Sequence, residues 1–359
     1  MPPHPDENLY PGQTLSGRWR IDQKCGEGHF GIVYHATDIT ASKRVAVKVL
    51  SIQHHGDQHA VREFQREGAL LSVLADRSHV IETLDAGVSH INVTVNGLSV
   101  PLPVYFIVLA LASTDLETVI VNRSVIPWSD RLSLFRDVTK GMHQAHLSRV
   151  VHRDLKSSNV LIVELGSEQR ACISDFGRGR DTRSPAMHPA QAYETGRGDF
   201  RFAPPESLWG IGDGVPESMA YGDLYLLGSL LFELATGVGI TAVAFPNPGA
   251  VVSRFATLSF ADRDADFRSM RADIRDQYEP AYEMFRYELP PSLRQLLLAL
   301  LRQLTDVDPP KRAPISLPGR SVLPRLWDLQ WVIRRVDRAT LVLAHANPAG
   351  NPQRRRSAR

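Results

Sequence analysis

His152-Arg153-Asp154-Leu155-Lys156-Ser157-Ser158-Asn159 is the stretch on which the reading of this chain turns. It matches the pattern H-R-D-L-x-x-x-N at every fixed position, and its side chains suit phosphoryl transfer. Asp154 can orient an attacking hydroxyl and accept its proton, Lys156 can neutralise charge on the transferred group, and Asn159 can bind a metal ion. Sixteen residues after Asn159 comes Asp175-Phe176-Gly177, preceded by the strand-like ACIS. An aspartate there can hold magnesium bridging the β- and γ-phosphates of a nucleotide. D-F-G alone is a common triplet; following the first stretch at this distance, it is specific.

Upstream, Gly26-Glu27-Gly28-His29-Phe30-Gly31-Ile32-Val33 forms a G-x-G-x-x-G-x-V pattern, whose glycines let backbone amides approach phosphate oxygens closely. A dinucleotide-binding turn requires a helix after its third glycine. Here Ile32-Val33-Tyr34 continues as strand, which favours a glycine-rich hairpin. The next strand, RVAVKVL, carries Lys48, placed to reach the α- and β-phosphates. Such a lysine needs a carboxylate to hold it, and the helix that follows offers Glu63 and Glu67 one turn apart. Glu67 is the choice because Leu70, Leu71 and Leu74 pack beside it, leaving Glu63 as a surface charge.

The texture of the chain changes near residue 112. Before it, RWRIDQKC, GIVYHATD, RVAVKVL and PVYFIVLAL read as strands, INVTVNGLSV as a hairpin about Asn96-Gly97, and VREFQREGALLSVL as one amphipathic helix. After it, SDRLSLFRDVTKGMHQAHL, LYLLGSLLFELATG and PSLRQLLLALLRQL have helical spacing. The expected fold class is α+β with two lobes, a small, mainly β N-lobe holding one key helix and a larger, mainly α C-lobe. The expected boundaries are a flexible lead-in over 1–16, an N-lobe over 17–112, a C-lobe with helical extension over 113–345, and a basic disordered tail over 346–359.

Composition narrows the function classes. In 359 residues, 41 basic side chains nearly balance 39 acidic ones, without the strongly positive field expected of a nucleic-acid binder. Two cysteines, Cys25 and Cys172, exclude a disulfide framework and fit a reducing, cytoplasmic setting. No basic region followed by an apolar stretch opens the chain, so no secretory signal is expected. The apolar run Leu224 to Phe245 approaches membrane-spanning length but holds Glu233 and three glycines, which favours a buried core helix.

Taken together, these motifs resemble the eukaryotic-like protein kinase family from about Tyr10 to Arg312, and GRWRIDQKCGEGHFGIVYHATD is especially similar to its bacterial serine/threonine branch. The resemblance implies a serine/threonine protein kinase using ATP and Mg2+. Its partners would be protein substrates, including the kinase itself, with no nucleic acid and no membrane. Asp154, Lys156, Lys48 and Glu67 would be catalytic, and Asn159 and Asp175 would hold the metal. Gly26, Gly28, Gly31 and Lys48 would line the phosphates. Val33 and Ala46 would cover the adenine from above and Leu161 from below. Leu109 would stand near the gatekeeper position, with Ala110, Leu111 and Ala112 presenting backbone groups. Cys25 would be a small packing residue. Pro204-Pro205-Glu206 would replace A-P-E, with Glu206 pairing to Arg312, and Asp223 would start the central large-lobe helix.

Departures leave a second reading open, a nucleotide-binding pseudokinase or scaffold module. Asp199 stands where serine/threonine kinases carry a threonine, and its charge near Asp154 would disfavour acidic peptides. Arg178 to Phe202 occupies the activation-loop position, with Thr182, Ser184, Tyr193 and Thr195 as candidate phosphorylation sites and Arg153 as their partner. ADRDADFRSMRADIRDQY reads as one exposed helix, solvated or docking a partner. Trp327, Trp331 and Ile333 suggest a C-terminal helix packed on the large lobe.

Overall fold

The computed structural model of the chain describes residues 9–28, 31–95, 98–122, 126–166, 168–184, 199–212, 214–255, 257–314 and 325–346. It divides into two compact units, one of residues up to Thr114 with Leu161–Gly179, the other of Asp115–Val160 with residues from Arg180 on.

The first unit is built on a six-stranded sheet of β1 (Thr14–Leu15), β2 (Trp19–Glu27), β3 (Gly31–Asp38), β4 (Lys43–Leu50), β5 (Thr83–Val95) and β6 (Leu98–Ala110), in the order β1-β2-β3-β4-β6-β5. Every neighbouring pair is antiparallel. Alternation decides the faces. Ile32, Tyr34 and Ala36 lie opposite Val49, Val47 and Val45, and with Val104, Phe106 and Val108 they form the core. The other face carries Val33, Ala46 and Lys48, with Leu109 opposite Ala46 and Ile107 opposite Lys48. Val95 pairs with Leu98, as the hairpin reading requires, while Asn96 and Gly97 lie outside the described residues.

Helix α1 (Gln58–Val73) is opened by Asp57, whose side chain accepts from the His59 amide. It buries Phe64, Glu67, Gly68, Leu70 and Leu71 on one face, which packs against β5 and β6. Strands β7 (Val160–Leu165) and β8 (Glu168–Ile173) pair with each other. Ile173 exchanges backbone hydrogen bonds with His79 and Ile81, both 2.9 Å, so the residues that follow, Asp175 among them, are tied to the end of α1.

The second unit is helical: α2 (Leu116–Asn122), α3 (Trp128–Leu147), α4 (Pro205–Leu208), α5 (Pro216–Thr236), α6 (Ile240–Ala244), α7 (Pro248–Phe255), α8 (Phe260–Ser269), α9 (Arg271–Gln277), α10 (Glu279–Glu288), α11 (Arg294–Leu304) and α12 (Gln330–Ala346). Helix α5 is its axis, buried without a break from Asp223 to Ala235, and α3, α10 and α11 pack around it. At Gly228 the approach of α11 is so close that a Cβ would lie 2.7 Å from Thr305 and 2.8 Å from Leu304. The apolar run from Leu224 is therefore core, and among the described residues no helix is long and apolar enough to cross a membrane.

Two expectations are corrected. Asp223 lies two turns inside α5, because Pro216 starts the helix earlier. The span 261–278 is two helices broken at Met270, and it is not simply solvated: Phe267, Ile274 and Tyr278 are buried. Trp209 holds this segment, stacked on Phe255 at 5.2 Å, edge-on to Phe267 at 5.5 Å, and donating its indole N–H to Asp266 at 2.9 Å. The C-terminal helix packs against α3 and α11 with Trp327 and Ile333 buried.

Candidate active site

The first unit collects one set of the candidate residues. Gly26 is the next-to-last residue of β2 and Gly31 begins β3, and the Gly28 amide donates to the Gly31 carbonyl at 2.7 Å. His29 and Phe30, between them, lie outside the described residues. Gly31 admits no side chain, since a Cβ would run into the Val49 carbonyl. Val33, Ala46 and Leu109 share the sheet face of Lys48, β6 ends at Ala110, and Leu111 follows. Ala110 donates its amide to Glu82 at 2.9 Å. Leu161 stands on β7 of the same unit.

Lys48 Nζ lies 2.8 Å from both oxygens of Glu67 and 3.2 Å from Asp175 Oδ1. Glu63 instead faces His59 at 3.6 Å and Arg66 at 3.8 Å. Burial opposes the charge on Lys48, but Asp175 and Glu67 outweigh it and hold the ammonium above the ordinary lysine range. Burial raises the Glu67 carboxyl despite the pull of Lys48. With two hydrogen bonds joining a buried ammonium to a buried carboxylate, we take the pair as ionised. Asp175 sits in left-handed backbone, φ 56°, a conformation uncommon for residues other than glycine, asparagine and aspartate.

The second unit holds the other set. Asn159 donates its side-chain amide to the Asp154 carbonyl at 2.7 Å and to its carboxylate at 3.3 Å. Lys156 Nζ lies 3.9 Å from Asp154 Oδ2. The loop is pinned from beneath by α5. Asp223 accepts the backbone amides of His152 at 2.8 Å and Arg153 at 2.7 Å, so Arg153 is held at φ 67° beside Asp154. Burial works against the Asp223 charge, but the His146 ring and these donors keep its carboxyl below the usual range. Further along, Glu233 accepts the Ser157 hydroxyl at 2.5 Å and the Ser157 amide at 3.2 Å. Burial pushes the Glu233 carboxyl up to about 7, Ser157 notwithstanding.

Glu206 and Arg312 pair as expected, through two contacts of 2.6 and 2.7 Å, with Arg312 fully buried. Asp199 is not a bare charge: Arg201 grips both its oxygens at 2.8 and 2.5 Å. Burial opposes ionisation of Asp199, but Arg201 draws its pKa down. The Thr182 hydroxyl and amide both donate to the Arg149 carbonyl, at 2.9 and 2.8 Å. Tyr193 and Thr195 lie outside the described residues. The Cys25 thiol donates to the Val33 carbonyl at 3.5 Å, and desolvation raises its pKa.

Sequence reasoning missed Glu233, Ser157, His146 and Arg201. Glu233 carried a signal, as a carboxylate inside an otherwise apolar run, where burial needs a partner.

A family model for the protein kinase domain matches residues 19–317. The chain is 28% identical over 228 residues to the serine/threonine-protein kinase PrkC of Bacillus subtilis, covering 63% of this chain and 31% of PrkC. It is 29% identical over 228 residues to the serine/threonine-protein kinase PknK of Mycobacterium tuberculosis, covering 63% and 18%. With the serine/threonine-protein kinase pkn3 of Myxococcus xanthus it shares 26% over 322 residues, 88% of this chain and 55% of that protein. The chain thus spans a third or less of PrkC and PknK and about half of pkn3. Matched over most of its length and carrying the side chains described above, the chain belongs to the protein kinase domain family, with its relatives in the bacterial serine/threonine branch.

Proposed function

We propose that this chain transfers the γ-phosphoryl group of ATP to serine or threonine hydroxyls of protein substrates, itself among them. The observation that carries the reading is the buried Lys48–Glu67 pair with Asp175 beside it. A lysine held in place by a buried carboxylate is suited to meet nucleotide phosphates. Gly26, Gly28 and Gly31 would bring backbone amides to the phosphates. Val33, Ala46, Leu109, Leu111 and Leu161 would enclose the adenine.

Asp154 would orient the acceptor hydroxyl and take its proton, while Lys156 would offset charge on the transferring group. Asp175 would offer Mg2+ a hard carboxylate, and Asn159, whose amide nitrogen donates to Asp154, would offer its side-chain oxygen. When bound, the metal supplies charge neutralisation at the β- and γ-phosphates. Two free cysteines and a near-balanced charge support a cytoplasmic setting.

The test is transfer from labelled ATP with magnesium, comparing the chain with Asp175→Ala on itself and on a generic basic protein. Label on serine or threonine, absent from the variant, is expected. Tight nucleotide binding without transfer to any acceptor would refute the reading in favour of a scaffold module, and label on a metabolite alone would redirect it to a small-molecule kinase.

A further inference from the structure

The family match ends at residue 317, yet the chain continues into a segment that the second unit buries as core: Leu326, Trp327, Leu329, Val332, Val336 and Ala339 are all at most 5% exposed. This segment is fastened to α3 at several points. Arg136 and Asp337 pair at 2.5 Å, the Leu329 amide donates to His143 at 3.2 Å, and Arg335 donates to Gln303 of α11 at 2.6 Å.

What it touches on α3 is His146, which has no exposed surface. The Trp327 ring lies 5.5 Å from the imidazole. His146 Nδ1 meets the Leu326 carbonyl at 3.3 Å and Nε2 meets Asp223 Oδ2 at 2.8 Å. Both ring nitrogens are thus engaged, one by each partner. The same Asp223 carboxylate accepts the amides of His152 and Arg153. The Arg149 guanidinium lies over the Trp327 ring at 4.6 Å, and the Arg149 carbonyl anchors Thr182. One tryptophan thus stands between the support of the catalytic loop and the anchor of the segment after Asp175.

We infer that Leu326 and Trp327 are positioning residues for phosphoryl transfer, acting through His146 and Asp223 on the backbone beside Asp154. This rests on the kinase reading above. The indole and the Leu326 carbonyl fix the plane of the imidazole. The imidazole fixes Asp223, whose two oxygens set the spacing of the His152 and Arg153 amides, and misplacing a reacting group by an ångström is enough to slow transfer a hundredfold.

The experiment uses the full chain with Trp327→Ala, Trp327→Phe and His146→Asn. Steady-state kinetics should show kcat reduced at least tenfold in Trp327→Ala, with KM for ATP within twofold of the parent, and largely restored in Trp327→Phe. His146→Asn, which removes the ring between Trp327 and Asp223, should lower kcat to a like extent, and adding Trp327→Ala to it should cost no more than a further twofold. Unchanged kcat in a folded Trp327→Ala would overturn the inference, as would unchanged kcat in His146→Asn, a result that stands even if Trp327→Ala does not fold. A parent chain that binds nucleotide and transfers nothing sinks the kinase reading, whereas an active parent with an equally active Trp327→Ala sinks this inference alone.

Discussion

Replacing Glu233 by glutamine should flatten the dependence of stability on pH. Glu233 is 4% exposed on α5, and burial raises its carboxyl from 4.5 to about 7. Between those two values the folded protein retains a proton that the unfolded chain has released. Raising the pH therefore draws the equilibrium towards the unfolded state, and this contribution to stability is lost from about pH 4.5 to about pH 7. At about 1.4 kcal/mol for each tenfold change in protonation, the full swing is about 3 kcal/mol. Glutamine cannot titrate, so this slope disappears. Losing one of the Ser157 contacts shifts the whole curve by about 1 kcal/mol without tilting it. The assay is urea unfolding followed by tryptophan fluorescence at intervals from pH 4.5 to 8, read as the difference between parent and variant, in which other titrating groups cancel. A difference that grows by about 3 kcal/mol across the window is expected. Two curves parallel to within about 0.5 kcal/mol would show that Glu233 stays ionised when folded, and the burial argument would fail.

Other substitutions probe separate parts of the molecule. Arg312→Ala leaves Glu206 without its bidentate partner in a buried site and should lower the unfolding free energy by about 3–5 kcal/mol in denaturant titrations; a loss below about 1 kcal/mol would mean that water reaches the carboxylate. Gly31→Ala drives a methyl group into the Val49 carbonyl, which should cost about 1–3 kcal/mol of stability and weaken ATP binding in calorimetry; unaltered affinity and stability would contradict the close packing of β3 on β4. Arg201→Ala releases the Asp199 charge, so peptide arrays should show selectivity moving away from acidic sequences towards basic ones, and an unchanged profile would place that pair outside peptide selection.

The order of the elements and the identity of the central residues were legible in the chain itself, because they are written in local patterns. Alternation over Gly31–Asp38 and Lys43–Leu50 gave two strands whose register follows from which residues are apolar. Helical spacing over Gln58–Val73 singled out Glu67 over Glu63 before any distance was known, since the buried stripe through Phe64, Leu70 and Leu71 includes one and not the other. Asp154, Lys156 and Asn159 stand within six positions of one another, where spacing alone constrains their chemistry.

What only the tertiary structure decided are pairings between residues far apart in the chain. Glu233 with Ser157, Asp223 with His152 and His146, and Trp327 with His146 are separated by many tens of positions, and no local pattern records such a contact. Arg201 lies two residues from Asp199, yet exposed charges pair or stay solvated according to backbone geometry rather than spacing. The helix break at Met270 was equally hidden, because the charged pattern of 261–278 is continuous in the sequence, while the structure divides it into two helices that bury Phe267 and Ile274. Local periodicity thus named the elements and motif spacing the candidate site side chains, while burial, which depends on everything that folds around a residue, set their partners and their charges.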